Sequence, residues 1–257
     1  MRTTKKLVQV AAFGSLLVAT VACGSDSNDS SSSNGATSSV AATDPATTDA
    51  PAPTTTELVP AAPQLRPLDA GGTYRLGKGV IGRSMSFTTF VDGTFAYLAN
   101  GFFGATLDKT GTEVLMSVTD LARARVFTDP VADLDSLNAT SQLDASTTAA
   151  PSDFLAYFAT LPSVIVGPIE TTEFAGFPAR SMSYSVGSFD GGFACFGSDR
   201  GACLLSIYVQ NSGVVQTYWD GDSGTLYELT IDGRTVLVDV SDREGAAETA
   251  ASLVIGD

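Results

Sequence analysis

Thr225-Leu226-Tyr227-Glu228-Leu229-Thr230-Ile231-Asp232-Gly233-Arg234-Thr235-Val236-Leu237-Val238-Asp239-Val240 is the stretch that decides the fold. Two β-rich runs flank Asp232-Gly233. Asp-Gly between such runs is the strongest short-range hairpin signal, because both central residues of a type I′ turn need positive φ. A two-residue loop also fixes the register. Ile231 faces Arg234, Leu229 faces Val236, Tyr227 faces Val238 and Thr225 faces Val240, a mostly apolar face. The opposite face pairs Thr230 with Thr235, Glu228 with Leu237 and Leu226 with Asp239. One inward face and one mostly outward face predict an antiparallel sheet covered on one side.

Working outward, Asp92-Gly93 between Met85–Val91 and Thr94–Ala99 predicts a second hairpin of the same kind. Further strands are expected over Phe102–Leu107, Thr112–Val118, Ile169–Phe174, Arg180–Val186, Cys203–Val209 and Val214–Trp219. Gly176-Phe177-Pro178 and Asn211-Ser212-Gly213 are the turns between them. Pro151-Ser152-Asp153 precedes Phe154, Leu155, Phe158 and Leu161, a helical spacing that Pro162 ends. Ser241-Asp242-Arg243-Glu244 has the form of a capping box ahead of Ala246, Ala247, Ala250, Ala251 and Val254, with Gly256 closing that helix. Asp129–Ala150 is polar and irregular, a long loop with a short helix. The expected class is α+β: an antiparallel β-sheet of hairpins, with a mid-chain helix and a C-terminal helix packed on one face.

The N-terminus is an address. Arg2, Lys5 and Lys6 precede the apolar run Leu7–Thr20, which is followed by Val21-Ala22-Cys23-Gly24 and a Ser/Asn/Asp/Thr/Pro/Ala tract. A run of about 14 residues is too short to span a bilayer, which needs about 20, so a removed signal is expected. The segment resembles a lipobox, in which a cysteine after a small residue becomes thioether-linked to diacylglycerol. That resemblance implies lipidation at Cys23, with Thr20 departing from the usual Leu. Two acyl chains give stable anchoring where one is marginal. Gly24–Pro63 has no Lys or Arg and almost no large apolar residue before Leu58. It buries too little surface to offset its ordering entropy. The expected organisation is a signal peptide over 1–22, a lipidated cysteine and disordered tether over 23–63, and a single globular domain over 64–257.

Composition sets further bounds. Of 257 residues, 44% are hydrophobic and 14 are Phe, enough for a sizeable core. Asp and Glu number 28 against 14 Lys and Arg, and with three bases in the leader the processed chain carries about −17. Such a surface repels phosphate backbones, so no nucleic-acid partner is expected. Histidine is absent, which removes the commonest general base and the commonest metal ligand. Three cysteines, one of them assigned to the anchor, make no zinc site. No catalytic, cofactor-binding or metal residues are assigned.

Cys195 and Cys203 remain after Cys23, and in an exported chain an even remainder predicts a disulfide. So short a loop contributes about 2–3 kcal/mol by chain entropy. Asp222-Ser223-Gly224-Thr225 matches the aspartic-protease signature, but that chemistry needs two carboxylates sharing a proton and no second copy exists. An ordinary turn is expected there. Asp220-Gly221-Asp222 fails the EF-hand pattern, and Asp129, Asp133 and Asp135 suit a solvated loop better than calcium. The aromatics Phe87, Phe90, Phe95, Tyr97, Phe102 and Phe103 are either core or the lining of an apolar pocket.

The order of hairpins, mid-chain helix, hairpins and terminal helix resembles the Mog1/PsbP-like sandwiches from Thr73 to the end, in topology only. Glu173–Arg180 and Asp232–Val236 resemble phrases of uncharacterised actinobacterial-type secreted lipoproteins, which implies a surface location and nothing about activity. The expected function is a non-enzymatic binding or accessory module, anchored through lipid to the outer face of the cytoplasmic membrane, with no cofactor. Its partner would be an unknown envelope protein or a small apolar ligand. The alternatives are a carrier of lipid or another apolar ligand, and a hydrolase working with carboxylates alone.

Overall fold

The computed structural model describes residues 55–58, 66–99, 101–107, 113–127, 148–188, 193–194, 202–209 and 213–257. In chain order the strands are β1 (Thr55–Leu58), β2 (Arg66–Leu68), β3 (Thr73–Leu76), β4 (Met85–Thr88), β5 (Gly93–Ala99) and β6 (Phe102–Thr106). Then come β7 (Val114–Asp120), a 3-10 turn over Leu121–Arg123, β8 (Ala124–Phe127), β9 (Thr148–Ala149) and helix α1 (Phe154–Phe158). After it run β10 (Val164–Val166), β11 (Glu170–Phe174), β12 (Phe177–Val186), β13 (Phe193–Ala194), β14 (Ala202–Val209) and β15 (Gly213–Trp219). The chain closes with β16 (Ser223–Ile231), β17 (Arg234–Ser241), helix α2 (Ala246–Ala251) and β18 (Val254–Ile255).

These strands form three sheets. The largest has the order β10-β12-β16-β17-β7-β6-β5-β2, with β11 also paired to β12. A smaller sheet runs β1-β3-β4-β18, and a third runs β13-β14-β8-β9 with β15 also on β14. All pairings are antiparallel except β1 with β3. The decisive hairpin forms in the register expected from its loop: Ile231 with Arg234, Glu228 with Leu237, Leu226 with Asp239. Asp232 and Gly233 have φ of 52° and 75°, as a type I′ turn demands.

The covering of that hairpin differs from expectation. Both faces are buried. Leu229, Ile231, Val236, Val238 and Val240 join a core shared with the small sheet and α2. Leu226 and Leu237 join a second core shared with α1 and the third sheet. The five residues Val236–Val240 are all buried. The two helices therefore lie against opposite faces of the central sheet, and the expectation that both pack on one face is corrected. The class is corrected with it. Helices of five and six residues beside three sheets make the domain β-rich rather than α+β.

The Asp92-Gly93 hairpin does not form. Neither residue has positive φ. β4 pairs with β3 and β18, whereas β5 pairs with β2 and β6, so the dipeptide links two sheets. Gly93 serves close approach instead, since a Cβ there would sit 2.7 Å from Thr106 O. The capping box is also corrected. Ser241 ends β17, α2 begins after Gly245 at φ 76° with no side-chain cap, and Val254 lies in β18 beyond the helix. Asp153 does cap α1, its Oδ1 accepting from Ala156 N at 3.1 Å. Four residues of the stretch assigned to the tether, Thr55–Leu58, form β1 in the small sheet. No helix among the described residues is long and apolar enough to cross a membrane.

Gly224, in the protease-like tetrapeptide, has a structural reason. A Cβ there would collide with Val240 O and lie 3.0 Å from Ser241 Cα, so β16 and β17 approach closely only over glycine. Gly224→Ala is expected to cost about 1–3 kcal/mol. A lower urea midpoint at unchanged m-value is the check.

Candidate functional site

The register of β16 and β17 places Asp239 and Glu228 on the face covered by the third sheet and α1. A polar group buried there must find hydrogen-bond partners or carry a desolvation cost. Asp239 is 2% exposed. Its Oδ1 accepts from the Tyr184 hydroxyl of β12 at 3.0 Å, and its Oδ2 accepts from Gln216 Nε2 of β15 at 3.1 Å. Burial pushes the Asp239 carboxyl up to about 7 against the pull of the Tyr184 hydroxyl, and the charges of Asp222 and Asp242 add to the rise. Burial likewise drives the Tyr184 and Tyr218 phenols well above their ordinary range, with the Asp239 charge second. The Tyr218 hydroxyl has no hydrogen-bond partner among the described residues. Gln216 is 5% exposed, and its Oε1 is unpartnered as well.

A cavity of about 110 Å³ opens over this group. Tyr184, Gln216 and Asp239 form part of its wall, with Glu113, Asp222, Asp242 and Arg243 around them. Four acids against one base make it an electronegative recess. Asp222 is placed there by the β15–β16 turn, where its Oδ2 accepts from Trp219 N at 2.8 Å and Gly221 takes φ 84°. The turn expected over Asp222-Ser223-Gly224-Thr225 is corrected: it lies earlier, at Asp220-Gly221, so Asp222 stands at its end beside the cavity while Ser223, Gly224 and Thr225 already belong to β16. Among the described residues no three His, Cys, Asp or Glu side chains stand together as a metal-ligand set.

Glu228 has a different task. Its Oε2 accepts from Phe154 N at 2.9 Å and Leu155 N at 3.4 Å, the first turn of α1, and its Oε1 accepts from Arg180 Nη2. Arg180 also donates to Asp153 Oδ1 at 2.8 Å. Arg180 and the Ala156 amide hold the Asp153 carboxyl below its ordinary range. Asp153 and Glu228 in turn keep the guanidinium more firmly protonated. A third buried carboxylate, Asp120, accepts from Ala122 N at 3.1 Å and Arg234 Nη1 at 3.3 Å, ending β7. These two sites are structural.

A second recess, about 410 Å³, is an open groove between β11 and α2, walled by Phe174, Tyr227, Val240, Ala247, Ala250 and the acid Glu173. Among the described residues of the aromatic cluster, Phe87, Phe90, Phe102 and Phe103 line neither space. Phe87 and Phe103 meet at 5.1 Å in one core and Phe102 lies in the other, while Phe90 is 52% exposed. Nothing is described of the Phe95 and Tyr97 side chains. Cys203 is buried near the start of β14, opposite Phe193 in β13. Cys23, Cys195, Asp129, Asp133 and Asp135 lie outside the described residues. The residues that sequence reasoning missed as site candidates are Asp239, Gln216, Tyr184 and Glu228. The signal for two of them was present: Leu226 and Leu237 share the face assigned to solvent, an apolar pair where polar residues were expected. No family model and no curated protein matches the chain.

Proposed function

We propose that the chain is an exported lipoprotein whose β-rich domain works outside the cytoplasmic membrane as a non-enzymatic binding module. The observation that supports it is how the domain uses its residues. Among the described residues, most large apolar side chains are consumed in two cores on either face of the central sheet. The recess left over the hydrogen-bonded Asp239 is small, polar and acidic. Ligand pockets of about 300–1,000 Å³ lined mainly by apolar groups are the rule for drug-sized or lipidic molecules, which favours a binding module for small polar groups over a carrier. The carrier reading draws on the groove beside α2, whose wall is only part apolar and whose mouth is open.

The hydrolase reading has one observation in its favour. A carboxyl held near neutrality beside other acids is where general acid–base chemistry is sought. Against it stands the engagement of both Asp239 oxygens by Tyr184 and Gln216.

The anchor and the staple belong to the same proposal: diacylglycerol on Cys23 and a disulfide between Cys195 and Cys203. Cys23→Ser is expected to move the protein from the detergent phase to the aqueous phase in a Triton X-114 partition, while the parent stays with the detergent. Unchanged partition of the variant would sink the anchor. Alkylation of Cys195 and Cys203 only after reduction is the matching expectation for the staple.

A further inference from the structure

We propose that the recess over Asp239 holds the ammonium group of a small primary amine, with the Asp239 carboxylate as counter-charge and Gln216 Oε1 as a neutral acceptor. The proposal deepens the binding-module reading and rests on it, but it does not involve the anchor. Its starting point is Gln216. The side chain is 5% exposed and lines the cavity. Its Nε2 is committed to Asp239 at 3.1 Å, which turns Oε1 away from that bond and leaves it unpartnered among the described residues. An orphaned buried acceptor is a cost that a donor entering the cavity removes.

The chemistry of the wall narrows the donor. Asp222, Asp239 and Asp242 present carboxylates, and Arg243 is the single base. An anion would meet repulsion, and a neutral apolar molecule would leave Gln216 Oε1 unmet. A cation without N–H bonds would meet the charge and still fail the acceptor. A primary ammonium carries both a positive charge and three rotatable donors. A space of about 110 Å³ admits a few non-hydrogen atoms and no more. Absence of a three-carboxylate ligand set among the described residues sets a divalent ion behind an ammonium.

Two-dimensional NMR of the processed chain, purified in mild detergent, tests this at about pH 8 and constant ionic strength. The probes are methylammonium chloride and tetramethylammonium chloride. Methylammonium is expected to shift the Gln216 side-chain amide saturably, with Kd on the order of 10 mM for so small a ligand. Tetramethylammonium, with the same charge and no N–H, is expected to give no saturable shift. Asp239→Asn and Gln216→Met, the latter read with the parent at the Gly221 backbone amide in the cavity wall, are each expected to weaken methylammonium at least about tenfold. A linear response to methylammonium, an equal response to both ions, or a Kd unchanged in both variants overturns the proposal. The comparison of the two ions needs only the parent chain, so it decides the matter even where a variant does not fold. Failure here leaves the Cys23 anchor standing, and failure of the partition assay leaves the titration untouched.

Discussion

Replacing Asp239 with Asn is expected to leave stability unchanged below about pH 4 and to raise it at about pH 8, by as much as about 4 kcal/mol. The sign follows from the folded carboxyl titrating at about 7 against an ordinary 3.8. The folded state keeps a proton that the unfolded chain gives up. The stability this proton confers is complete below the unfolded value and is lost as pH rises through the folded one. Asn carries no charge at any pH, so the variant loses none of it. Parent and variant curves should meet at acid pH, separate between about 4 and 7, and run parallel above. Asn also suits the geometry. Its oxygen accepts from the Tyr184 hydroxyl, and its amide donates to Gln216 Oε1 once the Gln216 amide turns over, giving that acceptor a partner. Urea midpoints across this pH range are the measurement. Curves that stay parallel throughout would mean that Asp239 is as readily ionised in the fold as in water.

The same residues show how much of the domain its sequence carries. Asp232-Gly233 gave the hairpin residue by residue, because a two-residue type I′ loop leaves no freedom in register. Asp92-Gly93 carries the same dipeptide and misleads, because the chain there leaves one sheet for another and Gly93 is used for its missing side chain instead of its turn conformation. Alternation along β16 and β17 sorted the side chains correctly into two sets. It did not say what covers each set. Cover for the Asp239 face comes from β8, β14, β15 and α1; β14 and β15 pair locally, but β8 joins β14 across about 80 residues, and none of this leaves a mark on the β16–β17 hairpin's own pattern. The site is therefore legible as a list of polar residues on a strand face and illegible as a buried cluster. Burial is what turns Asp239 from a solvated carboxylate into a group poised near neutrality, and burial is decided by distant strands. The anchor proposed at Cys23 rests on the sequence alone, on Ala22-Cys23 and the polar run beyond.

Glu228→Ala is expected to cost about 2–4 kcal/mol, because three donors lose their acceptor at once. Two of them are the Phe154 and Leu155 amides at the start of α1, groups with no partner inside the helix. The third, Arg180, keeps Asp153 and remains partly solvated, so the greater share of the loss falls on the amides. Glu228→Gln separates the two contributions. Its Oε1 still accepts from an α1 amide while the charge is gone, and its expected cost is about 1–2 kcal/mol. Hydrogen exchange reads the difference locally. Phe154 and Leu155 amides should exchange faster in the Ala variant and near the parent rate in the Gln variant. Equal loss in both variants would place the stabilisation in the Arg180 ion pair instead of the helix start. The distinction bears on the second core as a whole. Phe154, Leu155 and Phe158 are fully buried, and Phe158 packs on Tyr184 and Tyr218 at 5.3 and 4.8 Å. A helix of five residues has too few internal bonds to hold that face in place. Glu228 fixes it from the sheet below, so the carboxylate that anchors α1 also sets the aromatic wall that holds Tyr184, the hydroxyl donor to Asp239.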